Sequence, residues 1–167
     1  MRHGAWSMLG AVGVLLLTSG CVAIEAGHEG VMVEQPFFFG HGGVDPAPSK
    51  TGRVWVAPTT KVIEVDVRPL QYSEHFDIIS AENAPVSFDA FMIANVVESR
   101  SPELISRYGP NWYQNNVKEA FRTFVREEVQ RYPLFQLTTD PTTRTKLQDA
   151  IAREVQTKLI DKQNLPI

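Results

Sequence analysis

The hydrophobic positions of this chain follow three successive patterns: an unbroken apolar run, an alternation in steps of two, and a stripe in steps of three and four. The run extends from Gly4 to Ile24 without a charged side chain and is preceded by Arg2 and His3. The alternation follows a turn-rich hinge at Gly27-His28-Glu29-Gly30, and its first strand is Val31-Met32-Val33, ended by Pro36. Gly40 to Gly52 carries four glycines and two prolines, Pro46 and Pro48, and reads as a long surface loop with neither helix nor strand. Arg53-Val54-Trp55-Val56 is the next strand. In Val62 to Val67, Ile63, Val65 and Val67 share one face and Glu64 and Asp66 the other, as in a strand with one wet side. Turn residues at Ser80 to Pro85 separate Phe76-Asp77-Ile78-Ile79 from Val86 to Val97, whose near-continuous apolar pattern predicts a central strand.

At Ser101 the period changes. Ser101 as N-cap and Pro102 at the first helical position open a short helix that Gly109-Pro110 closes. From Asn111, Tyr113, Val117, Ala120, Phe121, Phe124, Val125 and Val129 fall on one helical stripe that ends near Tyr132-Pro133. A last helix is capped by Asp140, begins at Pro141 and carries Leu147, Ile151, Val155 and Leu159. Asn164-Leu165-Pro166-Ile167 reads as a turn leading into a further strand. Strands first and helices after, with short links between strands, predict an α+β fold: a mostly antiparallel sheet covered by two to three C-terminal helices.

The uncharged run decides where the protein works. A short basic start, an apolar core and the small residues Ser19-Gly20 before Cys21 resemble a secretory signal ending in a lipidation site, with Cys21 acylated. About 21 uncharged residues can also span a bilayer core of ~30 Å at 1.5 Å per residue, so a retained anchor is the competing reading. The expected division is therefore 1–20 as signal peptide or anchor, 21–29 as tether and 30–167 as the folded domain, in a bacterial cell envelope. Cys21 is the only cysteine, so no internal disulfide is available. The triplet Phe37-Phe38-Phe39 alternates in an extended strand, so either two rings enter the core and the loop covers the third, or a tether of this length lets the triplet contact the membrane surface.

Charge and motifs exclude several classes. With 16 Lys+Arg against 19 Asp+Glu, the net charge of −3 leaves no electrostatic footprint for nucleic acid. His28 and His41 lack a second ligand at the spacing zinc sites use, and Gly40-His41-Gly42-Gly43 lacks the lysine of a phosphate loop. No serine elbow occurs. Glu74-His75-Phe76-Asp77 is the densest acid and imidazole cluster, but on a strand Glu74 and Phe76 face away from His75 and Asp77, which predicts a solvated turn or edge. Lys118, Arg122 and Arg126 lie on one helix face and read as a solvated face diluted by Glu119, Glu127 and Glu128, or as a contact for anionic lipid headgroups or an acidic partner. These readings leave no catalytic, cofactor-binding or metal-ligating residue.

The ordered set Ala26-Gly27-His28-Glu29-Gly30-Val31, Trp55, Pro58, Val65-Asp66-Val67-Arg68, Ala84-Pro85-Val86-Ser87-Phe88, Pro102-Glu103-Leu104, Tyr108, Ala120-Phe121-Arg122, Val125, Tyr132, Leu137-Thr138, Arg144 and Leu147 resembles the SPFH or Band 7 domain of the stomatin, prohibitin and flotillin group. The resemblance runs from about Ala26 to Ile167. The chain departs from the family in its long Gly40 to Gly52 loop, in a last strand only begun at Leu165, and in the absence of a charged coiled coil within these residues. The resemblance implies a membrane-tethered, non-enzymatic scaffold that self-associates into a homo-oligomer and contacts lipids and membrane proteins, membrane proteases among them. The competing function is a cell-envelope lipoprotein whose α+β domain binds a small ligand or polymer in a cleft near the long loop.

Overall fold

Every strand pairing is antiparallel in the computed structural model, which describes residues 20–36, 38 and 42–167. Within that span the chain forms two compact units, one reaching to Val67 and including Glu98–Ser106, the other made of Arg68–Val97 and Arg107–Ile167. Residues 1–19, the expected signal or anchor, lie outside the described residues, as do Phe37, Phe39, Gly40 and His41.

The first unit has two small sheets. Strand β1 (Gly20–Ile24) pairs with β4 (Gly52–Val56), and β2 (His28–Glu34) lies between β3 (Gly43–Val44) and β5 (Thr60–Asp66). The segment expected as a tether, 21–29, thus contains most of β1 and the start of β2. The loop expected to hold neither helix nor strand contributes one short strand and one isolated bridge: β3 pairs with β2, and Ser49 and Gly30 exchange backbone bonds of 2.8 Å. Glycine and proline prevent a long ladder but leave room for these short pairings. A side chain at Gly30 would run into Ile24 and press on Val62, so the residue is held by close packing between strands. Ile24, Val31, Val56, Val65, Leu104 and Ile105 are buried here.

Helix α1 (Ser101–Tyr108) starts with Leu104 N–H donating to Arg100 O at 3.1 Å and stops at Gly109, whose φ of 76° only glycine adopts without strain. Ser101 does not act as the expected cap. Its hydroxyl donates to the buried carboxylate of Glu29, which also accepts the Ser99 N–H at 2.7 Å. Burial of Glu29 diverts the serine, because a carboxylate without donors is costlier than an uncapped helix end.

The second unit is a hairpin backed by helices. Strands β6 (Leu70–Ile79) and β7 (Pro85–Ala94) pair along their whole length, from Leu70 opposite Ala94 to Ile79 opposite Pro85. The turn is closed by Ser80 N–H to Ala84 O at 2.9 Å, with Asn83 at a φ of 58°. Val86 to Val97 was expected as a central strand; β7 instead has β6 as its only partner among the described residues, and its alternate residues Phe91 and Ile93 stand exposed. A π-helical turn (Tyr113–Val117) runs into α2 (Lys118–Val129). The short α3 (Leu134–Thr139), not foreseen, precedes α4 (Pro141–Val155), which continues as a second π-helical stretch to Asp161. Asp140 caps α4 by accepting Thr142 N–H at 2.9 Å, as its pairing with Pro141 predicts.

Phe76, Ile78, Phe121, Val125 and Val129 form this unit's core, with Phe88, Leu147, Ile151 and Val155 packed around it. Phe76 stacks on Phe88 at 5.3 Å and meets Phe121 edge-on at 6.3 Å. Leu165 and Pro166 are buried, and Pro166 O accepts the Val97 N–H at 3.0 Å.

Candidate functional site

Antiparallel register puts Cys21 directly opposite Trp55, so both side chains project from the same face of the β1–β4 pair. Ile24 and Val56 are buried, and alternation sends Cys21 and Trp55 outward, where the thiol is exposed and the indole is 65% exposed. Phe38 is 92% exposed. Its neighbours Phe37 and Phe39 lie outside the described residues. An exposed indole with a polar N–H on an apolar body suits the boundary between water and hydrocarbon. Trp55 was not foreseen as a surface residue, although the burial of its neighbours in a strand is the signal that points it outward.

The second unit carries a charged cluster around Glu74. Its carboxylate is 7% exposed, receives Tyr113 OH at 3.2 Å and Arg122 Nη1 at 3.1 Å, and lies 3.2 Å from Lys118 Nζ. Burial by itself would raise the carboxyl's pKa, but these donors outweigh it and hold the pKa below the ordinary glutamate range. Burial and the facing Glu74 charge push the Tyr113 phenol upward. The Tyr113 ring stacks on Tyr72 at 3.8 Å, and Trp112 meets Tyr72 edge-on at 5.9 Å. Lys118 and Arg122 are therefore committed to Glu74, which corrects their reading as a solvated or lipid-facing stripe; Arg126 remains exposed. The cluster fixes β6 onto the helix.

The opposite face of β6 carries His75. Asp89 Oδ1 lies 2.8 Å from Nδ1, while Nε2 is 3.5 Å from Asp77 Oδ2 and 3.4 Å from Ser87 Oγ. Glu74 and Phe76 are buried and His75 and Asp77 exposed, as strand alternation requires, so the four-residue cluster divides between two environments. Ser87, His75 and Asp89 have the connectivity of a nucleophile triad, but the 3.4 Å between Ser87 Oγ and His75 Nε2 is long for the hydrogen bond through which a base takes a serine proton. Hydrogen bonding to Asp89 and the charge of Asp77 raise the His75 pKa and favour the imidazolium. The face is also open to water, without a sharp turn to present the serine.

His28 sits 3.7 Å from Asp66, its register partner. Among the described residues no group of three or more His, Cys, Asp or Glu is placed to hold a metal ion, and no helix is long and apolar enough to cross a membrane.

Antiparallel strands followed by helices, with family-like residues in order through both units, define an α+β protein of the SPFH kind. The model of the SPFH domain / Band 7 family matches residues 22–166, nearly the whole chain, and the chain belongs to that family. A comparison with curated proteins gives no match.

Proposed function

We propose that this protein is a membrane-tethered, non-enzymatic scaffold that self-associates and organises membrane proteins, membrane proteases among them, at a bacterial cell envelope. Family membership across residues 22–166 carries the reading. The exposed Cys21 beside Trp55 supports a tether at that position, since an acyl chain on an outward thiol leaves β1 undisturbed. Two or more acyl chains would hold the protein firmly, each buried CH₂ contributing about 0.8 kcal/mol. Phe37, Phe38 and Phe39 are assigned to the lipid surface.

Two measurements on membrane-extracted protein test this. Intact mass should show a chain beginning at an acylated Cys21; a mass retaining residues 1–20 without acyl groups replaces the lipid with a membrane anchor. Sedimentation in mild detergent should give a large assembly, and a monomer under those conditions defeats the scaffold.

A further inference from the structure

The outward face of the β1–β4 pair is graded in polarity along its length. Cys21 lies opposite Trp55 and Ala23 opposite Arg53, all four exposed, while Ile24 and Val56 alternate to the buried side. Just past the paired residues Thr51 Oγ1 lies 3.5 Å from Glu25 O, so the exposed acid stands at the end of the ladder away from Cys21. Arg53 has no ion-pair partner among the described residues, unlike Lys118 and Arg122, so its charge is available. In sequence, the uncharged run from Gly4 leads directly into the Cys21 end. Apolar, then an indole with a polar N–H, then a cation, then an anion is the order met on leaving a bilayer through its headgroups into water.

We propose that this face is the lipid-contact surface of the first unit, with the Trp55 indole at the boundary between hydrocarbon and headgroups and Arg53 on the phosphate of an anionic lipid. Residues two apart on a strand are about 7 Å from each other, and the headgroup layer is roughly 5 to 7 Å deep on each side of a bilayer, so one tilted ladder can place both groups at their preferred depths. The inference rests on the tether proposed above, since an acyl chain on Cys21 and an anchor in the preceding run both bring the Cys21 end to the membrane. It adds a function for the face itself. A tether alone leaves the unit free to swing, whereas the Trp55 and Arg53 contacts fix its orientation.

The test uses the full chain carrying Trp6→Phe, reconstituted in vesicles whose acyl chains are brominated. Of the three tryptophans, Trp55 is then the exposed indole and Trp112 is buried. With anionic lipid present, Trp55 emission should shift to shorter wavelength and be quenched, and Trp55→Phe should remove the quenched component while leaving thermal unfolding unchanged. Arg53→Gln should lower the ratio of quenched to unquenched Trp55 about fivefold, and omitting the anionic lipid should do the same. Protein that floats with the vesicles but keeps an unquenched Trp55 overturns the inference and leaves the tether standing. Protein that does not float overturns the tether and the inference together. A shorter-wavelength emission without quenching also overturns it, because a protein surface would then cover the face, and quenching indifferent to Arg53→Gln and to lipid charge removes the assignment of Arg53.

Discussion

His75 lies between two carboxylates on an exposed strand face, and its geometry has a pH consequence. The hydrogen bond that the ring donates to Asp89 and the charge of Asp77 raise the imidazole pKa above the ordinary value near 6.5. A pKa raised on folding means the imidazolium is the favoured partner. Its contribution to stability is fully present below about pH 6.5 and is lost as pH rises through the folded value. An NMR titration of the ring should show the elevated pKa, and Asp89→Asn should lower it more than Asp77→Asn because the Asp89 contact is the shorter. A ring titrating at or below the ordinary value removes this account. Glu74, one residue away, could be placed on the opposite face from the sequence, but its partners could not. Lys118 and Arg122 lie more than 40 residues downstream, and nothing in a helical repeat says which strand residue they will meet.

At the scale of elements, the apolar stripe of α2 is the strongest case of a sequence pattern read correctly. Phe121, Phe124, Val125 and Val129 are all buried, and Phe121 packs edge-on against Phe76. Phe121→Ala should cost about 3 to 5 kcal/mol, read from urea unfolding. Phe135→Ala, at an exposed ring on α3, is the control and should move the midpoint little. Equal effects from the two substitutions would contradict the assigned core. Asp140 was legible as a cap because its carboxylate and Pro141 act within one helical turn. Bonds from Thr142 and Thr143 hold its pKa at about 2, so this contribution is fully present above the ordinary value of 3.8 and is lost as pH falls from there through about 2. Ser101 misled for the opposite reason, since Glu29, its true partner, lies on a distant strand. The π-helical turns at Tyr113 and Gln156 were invisible, because the extra residue in such a turn leaves the spacing of apolar positions nearly helical.

For the whole molecule, membrane contact by the exposed aromatics is the property to measure. A chain beginning at Gly20 with Cys21→Ser keeps β1, whose buried Ile24 belongs to the first unit's core, and removes any acyl anchor. It should bind liposomes, and Phe38→Ser should reduce that binding without lowering thermal stability, because Phe38 is exposed already. Binding and stability both unchanged would assign Phe38 no role at the lipid surface. Residue order alone determined the α+β class, the strand-to-helix change at Ser101 and the buried stripes, since side-chain periods of two and near 3.6 are set by each residue's own backbone geometry. Tertiary structure decided that Cys21 faces Trp55, that Glu74 gathers Tyr113, Lys118 and Arg122, and that β7 pairs with β6 alone among the described residues. Those are pairings between distant segments, and strand register and the neighbours of an edge depend on how whole elements meet.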